Sequence, residues 1–298
     1  MQVINILIDQ NQMETTRHGS FAFPLAVYQS VLSQNVLGFI NWHWHEELQF
    51  CYVTAGAVRF FVHERQYLLR KGEGIFVNSG YLHMARPAAG ADSAYLCLDA
   101  SPRLLSSFPG SVFDTAYVAP SLKDPSMSHI PLHPDILWQR EALAVIPRIH
   151  ALYERGSFGC ELEISLLLGR MWLILLRHRG SESPKKNDPR LQSNAAVQAI
   201  LTYLHGHYGE RLNLEQIAKA ALFSPSECCR LFKKVTGETI FSYLQSYRLT
   251  QSVRLLQHTG LPISQIAYET GFCSTSYFIE VFKAKFGVTP YQQRKAGG

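Results

Sequence analysis

Three histidines and two oxygen-bearing side chains are spaced so that one site can be built from them. In Asn41-Trp42-His43-Trp44-His45-Glu46-Glu47-Leu48-Gln49, positions 43, 45, 47 and 49 alternate with apolar and aromatic ones at 42, 44 and 48. Alternate side chains of a β-strand share a face, so His43, His45, Glu47 and Gln49 are expected to point together. His83 follows Ser79-Gly80 further along. Imidazole nitrogens with an oxygen ligand can hold a divalent metal ion. The same groups can instead form a polar pocket and hydrogen-bond an organic ligand or one another. Trp42, Trp44 and Phe50 have the opposite parity, which suits packing rather than stacking on a ligand.

A second set of residues suits nucleic acid. Ser224-Pro225-Ser226-Glu227 reads as a capping box, with Ser224 as cap, Pro225 in the first helical position and Glu227 reaching back. The helix it opens has an inward stripe of Cys228, Leu231, Phe232 and Val235, leaving Ser226, Cys229, Arg230, Lys233 and Lys234 outward. Arg230 is the candidate base reader, because a guanidinium can bond guanine O6 and N7 together. Lys233 and Lys234 suit phosphate contacts, which add affinity without reading sequence, or simply a solvated face. Packing explains Cys228-Cys229 better than a redox switch does.

The same pattern returns in Ile263–Arg294. Ile263, Ile266 and Ala267 recur at helical spacing, Gly271 supplies a turn, and Ser274 caps a helix. Its Tyr277, Phe278, Val281 and Phe282 are expected to face a core, with Thr275, Ser276, Ile279, Glu280 and Lys283 outward. The copies correspond at Ile217/Ile266, Ala218/Ala267 and Phe223/Phe272. After one inserted residue they correspond again at Arg230/Glu280, Phe232/Phe282, Lys233/Lys283 and Gly237/Gly287. Thr289-Pro290 opens one last short helix, and Ile240–His258 reads as a longer helix between the copies. Each copy is a helix-turn-helix, whose second helix can enter a major groove.

Two such units, the IA motifs, FKK…TG, Tyr247-Arg248-Leu249, GF followed by SYF, and FK…FG.TP with Tyr291 and Arg294 resemble the DNA-binding domain of the AraC/XylS family of bacterial transcription regulators. The resemblance implies promoter DNA as a partner. Where the family often has Arg, the second unit has Glu280; a carboxylate repels phosphate but can accept from cytosine N4. Upstream, Gly38, His43, His45, Gln49 and Gly56 resemble the first cupin motif, and Gly74, Ser79, Gly80 and His83 the second. A cupin-like barrel ahead of the double unit is a common layout in that family. Gln49 stands where the motif has Glu, which removes the anionic ligand, although Glu47 can substitute. The expectation is therefore a polar effector pocket without a cofactor, with a divalent metal at His43, His45 and His83 as the alternative.

The elements around these residues are legible in outline. Val3–Ile8, Ile40–Trp44, Leu48–Thr54, Val58–Val62 and Ile75–Val77 read as strands of a small barrel or sandwich. Proline-rich residues 99–133 read as a long connection. Pro134–Arg155 and Phe158–Arg179 read as helices, the second apolar almost all round; the family resemblance implies dimerisation there, and intramolecular burial is the other reading. Gly180–Arg190 is the clearest linker, and Ser193–Tyr208 the next helix. The expected fold is α+β and multidomain: a cupin-like β-barrel (1–133), a helical, dimerising region (134–180), a linker (181–192) and an all-α double helix-turn-helix domain (193–298).

Charge agrees with this division. Residues 193–298 carry 11 Lys/Arg and 6 Asp/Glu, whereas residues 1–192 carry 17 of each, so the whole excess of +5 lies in the last hundred residues, as a polyanion partner requires. Six cysteines at 51, 97, 160, 228, 229 and 273 show no C-x-x-C pair or disulfide framework, which suggests reduced thiols and a cytoplasmic protein. Neither a signal peptide nor a bilayer-length apolar run is evident; Ile164–Leu176 is short and contains Arg170. These readings converge on a non-enzymatic transcription regulator, expected to be a homodimer, with a small-molecule effector and with RNA polymerase as a further candidate partner. The competing expectation is a metal-dependent cupin enzyme, a dioxygenase or sugar isomerase, fused to a DNA-binding tail.

Overall fold

The structure, a computed structural model, describes residues 19–88, 92–179 and 189–297. The expected strand Val3–Ile8 and linker residues 181–188 lie outside the described residues. Two compact units follow one another, one ending at Asn194 and the other running from Ala195 to Gly298.

The first unit contains nine strands among its described residues: β1 (Leu25–Val31), β2 (Ile40–His43), β3 (Leu48–Ala55), β4 (Ala57–Val62), β5 (Arg65–Arg70), β6 (Gly74–Val77), β7 (His83–Pro87), β8 (Ala94–Ala100) and β9 (His129–Leu132). They form two sheets with antiparallel pairing, ordered β1-β8-β3-β6-β9 and β2-β7-β4-β5. Alternation sorts each central strand to two environments. Cys51, Val53, Tyr95 and Cys97 join Val58, Phe60 and Val62 in the core between the sheets. Phe50, Leu96, Leu98 and Ala100 point the other way and pack with helices α3 (Leu137–Arg155) and α4 (Cys160–His178). This explains why β3 and β8 are almost wholly apolar: both of their faces are covered. Four of the expected strands are present within a residue or two. Residues 99–133 fold locally into short helices, including α1 (Arg103–Ser106) and α2 (Ala119–Leu122), before β9.

The second unit is helical. Helix α5 (Pro189–Gly206) starts four residues before the expected Ser193, so residues 189–192 are helix rather than linker. It is followed by α6 (Leu214–Ala220), α7 (Pro225–Thr236), α8 (Ile240–His258), α9 (Ile263–Glu269), α10 (Thr275–Phe286) and α11 (Pro290–Gly297). Capping boxes open α6 and α7, Ser274 caps α10, and Gly237 and Gly287 close α7 and α10 in the left-handed conformation. The family-like arginines have structural partners. Arg248 donates to the Tyr208 and Glu210 carbonyls at 2.7 Å each, and Arg294 to the Leu261 carbonyl at 2.6 Å.

His205 is buried in this unit, stacked on Tyr247 with ring centroids 3.4 Å apart and 3.0 Å from the Tyr243 hydroxyl. Burial pushes its pKa well below the ordinary imidazole value of 6.5. The folded state therefore keeps His205 neutral at pH values where the unfolded chain takes up a proton. The stability is fully present above about pH 6.5 and is lost as pH falls below it, with a limiting slope of about 1.4 kcal/mol per pH unit. We expect His205→Gln to flatten the melting-temperature profile between pH 6.5 and 5 relative to wild type. Parallel profiles would contradict this assignment.

Candidate functional site

The histidine cluster is assembled from cross-strand neighbours. In the smaller sheet, His43 of β2 and His83 of β7 are register partners, with ring centroids 4.1 Å apart. In the larger sheet, Gln49 of β3 lies opposite Asp99 of β8. His45 sits in the connection between β2 and β3, its ring 5.0 Å from that of His83 and 5.8 Å from that of His43. All five residues are buried, with 2–5% exposure. His43, Gln49, His83 and Asp99, together with Tyr28, Ser30, Tyr95 and Cys97, line a cavity of about 20 Å³. That is room for about one water molecule or ion.

The three rings are held in the same way. Nδ1 of His43 lies 2.8 Å from the Asn41 carbonyl, that of His83 2.8 Å from the Tyr81 carbonyl, and that of His45 3.1 Å from the Glu47 carbonyl. A carbonyl accepts only from N–H, so each Nδ1 carries the hydrogen and each neutral ring has its lone pair on Nε2. One ring nitrogen from each histidine lies within 4.8 Å of the others. The Nε2 of His45 is 3.4 Å from Gln49 Nε2 and 3.8 Å from Asp99 Oδ1.

Glu47 does not share this face. Its carboxylate lies on the Nδ1 side of His45, at 3.5 Å, and is 22% exposed. The expectation that alternation carries through positions 43 to 49 fails at Glu47, because β2 ends at His43 and β3 starts at Leu48, in a different sheet. The chain bends between them, so Glu47 leaves the face that His43 and Gln49 still share. The buried acid is instead Asp99, outside both cupin-like motifs. Its signal in the sequence is Tyr95-Leu96-Cys97-Leu98-Asp99, a buried strand pattern ending on a carboxylate. Trp42 is fully buried, edge-on to Phe61, and Phe50 is buried against Phe76.

In the second unit, α7 presents Ser226, Cys229, Arg230, Lys233 and Lys234 to solvent, while Cys228, Leu231, Phe232 and Val235 are buried. Glu227 is committed to the cap: its carboxylate accepts from the Ser224 hydroxyl at 2.6 Å, a bond that holds the carboxyl below its ordinary range. Burial pushes the Cys228 thiol up to about 11, which suits packing. On α10, Ser276, Ile279, Glu280 and Lys283 are exposed and Thr275 is half-buried. Tyr277, expected in the core, is 42% exposed and accepts a 2.7 Å hydrogen bond from Gln245 of α8. Its ring can lie along the helix surface while its hydroxyl stays polar. The inserted residue between the copies is Cys273, so the caps of α7 and α10 fall back into register. The six cysteines are free.

A small buried cavity lined by histidines in one unit, with two capped helices that expose a polar face in the other, suits a two-part regulator with a ligand-binding unit and a DNA-binding unit. Comparison with known families agrees. The AraC-like ligand binding domain matches residues 33–169, and the Helix-turn-helix domain matches residues 217–296. The HTH-type transcriptional regulator YdeC of Bacillus subtilis (strain 168) is 35% identical over 291 residues, 98% of each chain. YfiF from the same strain is 25% identical over 252 residues, 83% of this chain and 76% of that protein. The transcriptional activator RhaR of Escherichia coli O6:H1 is 32% identical over 145 residues, 49% of this chain and 50% of its own length. The chain belongs to the AraC family of helix-turn-helix transcription regulators. It is a DNA-binding regulator with a ligand-binding domain.

Proposed function

We propose that the protein works in the cytoplasm as a homodimer, reads promoter DNA mainly through α7, and answers to a ligand held at His43, His45, Gln49 and His83. The observation that carries the DNA half is the contrast between two equivalent helices with the same caps. Arg230, Lys233 and Lys234 stand on the outer face of α7, and Glu280 and Lys283 on that of α10. Thr275, Ser276 and Ile279 supply what polar or apolar contacts α10 makes. Sensing rather than catalysis fits the barrel, because a cavity of about 20 Å³ is far below the several hundred Å³ of an organic substrate site. RNA polymerase is the downstream partner that an activating role requires.

The dimer reading rests on α4. Leu162 and Leu166 are each 68% exposed and Leu173 is 42% exposed. With Gly169 they are spaced 4, 3 and 4 residues apart, a heptad seam that suits a second copy of the same helix. Leu166 and Leu173 also border an apolar cavity of about 700 Å³ with Phe113, Tyr117 and Trp172. Leu166→Lys is expected to leave the fold of the single subunit intact, since the side chain is exposed in one copy, with any fall in melting temperature coming from the lost partner. It should convert the dimer to monomer in sedimentation and weaken operator binding at least tenfold. A variant that remains dimeric would place the interface elsewhere.

A further inference from the structure

We propose that the apolar recess along α4 is a second ligand site, one that takes a neutral, largely apolar organic molecule. It is separate from the histidine cavity and does not depend on the function assigned to that cavity.

Size and wall chemistry define the ligand. Helix α1 contributes Leu104 and Leu105, the π-helical turn Phe113–Val118 contributes Phe113 and Tyr117, and α4 contributes Trp172 and Leu176. The recess holds about 700 Å³, inside the range of about 300–1,000 Å³ found for organic-ligand sites. None of the described residues that line it carries a charge. An ionic ligand would lose hydration there without gaining an opposite charge, so the wall selects a neutral molecule. Its polar side chains are the Trp172 indole and the hydroxyls of Ser107, Tyr117 and Ser165. Ser165 already donates to the Glu161 carbonyl at 2.8 Å, which leaves its oxygen free to accept. Such a wall suits one or two hydrogen-bonding groups on an apolar body.

The backbone around the recess points the same way. Gly169 lies inside α4, where glycine destabilises a helix relative to alanine. A Cβ at that position would meet open space within 4 Å, so packing inside the subunit does not require a glycine. What the missing side chain leaves is volume in the recess and an approach to the α4 backbone. Just after α1, Ser107 takes φ of +65°, which is disfavoured for a residue with a side chain. The π-helical turn that follows is a geometry concentrated at functional sites.

Leu166 and Leu173 belong both to the recess and to the seam proposed for dimerisation, so a second copy is the rival occupant. Leu162 of the seam lies outside the recess, and α1 and the π-helical turn wall the recess without joining the seam. One can therefore be altered without the other.

The test titrates the full-length protein with propionyl-dimethylaminonaphthalene, a neutral naphthyl ketone whose emission moves to the blue in apolar surroundings. Saturable binding of one probe per chain is expected, with blue-shifted emission. Gly169→Leu fills the recess; it should keep or raise the melting temperature and weaken probe binding about tenfold or more. If that variant does not fold, Phe113→Asp decides, because position 113 is exposed and a carboxylate there should weaken binding to a similar degree. Anilinonaphthalene sulfonate, an anion of similar size, should bind about tenfold or more weakly than the ketone. Leu162→Lys should leave ketone binding within about twofold, whatever it does to the dimer. Absence of saturable binding would overturn the site, as would unchanged binding in Gly169→Leu, equal affinity for the sulfonate, or loss of binding in Leu162→Lys. Probe binding that appears only in Leu162→Lys would show that a second copy covers the recess, and would overturn the proposal too. Sedimentation of Leu166→Lys decides the dimer separately.

Discussion

Arg230→Ala is expected to weaken binding to the operator by about 5- to 150-fold, the equivalent of the 1–3 kcal/mol that a bidentate arginine–guanine pair contributes to discrimination. The loss should be accompanied by relaxed preference at one or two base pairs in one part of the site. Glu280→Ala, at the matching place on α10, should cost little and can tighten non-specific binding, because it removes a negative charge from the DNA-facing surface. The two helices make this a controlled comparison. Both begin at a serine cap and end at a left-handed glycine, and in both the residue two places on, Phe232 or Phe282, is buried, so the side chain at 230 or 280 differs while its backbone setting is the same. Titration of each variant against the operator and a single-base-substituted panel reads both effects. A larger loss for Glu280→Ala, with lost preference for a cytosine, would make α10 the main reader.

Gly271→Ala is expected to destabilise the second unit by about 2–5 kcal/mol. Gly271 has φ of +80°, where a side chain costs roughly 1–2 kcal/mol. A Cβ there would also overlap the Tyr208 carbonyl oxygen and lie 2.8 Å from the Arg248 guanidinium, adding about 1–3 kcal/mol of overpacking. The equivalent turn of the first copy separates the two contributions. Leu222 stands there with φ of +59°, and is 92% exposed, so a side chain is accommodated where it points to solvent. The crowding at 271, including the two carbonyl bonds made by Arg248, is what makes the difference. Thermal denaturation should show a fall of about 10 °C or more. A melting temperature within a degree or two of wild type would mean that the Arg248 clamp yields easily.

Much of this was legible in the sequence where local chemistry determines structure. The capping box at Ser224–Glu227, the cap at Ser274, the turn at Gly271 and the bounds of Ile240–His258 are set by residues within a turn of one another. Strands were harder. Leu25–Val31, His83–Pro87 and Ala94–Ala100 acquire their hydrogen-bond partners from distant segments, and the last is buried on both faces, so it shows no alternation. The same non-locality hid Asp99, which reaches the histidines only because β8 pairs with β3. It also misplaced Glu47, since strict alternation could not reveal the bend between His45 and Leu48. Tyr277 kept a core spacing but lies at the edge of its helix, where its hydroxyl meets Gln245.

The claim that joins these parts is sequence-specific DNA binding by the second unit, and one titration addresses it most directly. Genomic fragments retained by the full-length protein would supply an operator, and its affinity would be measured beside a scrambled duplex across a salt series. We predict that the operator binds about a thousandfold or more tightly than the scrambled duplex at physiological salt, with both affinities falling steeply as salt rises. Equal affinity for the two duplexes, or binding indifferent to salt, would contradict the account.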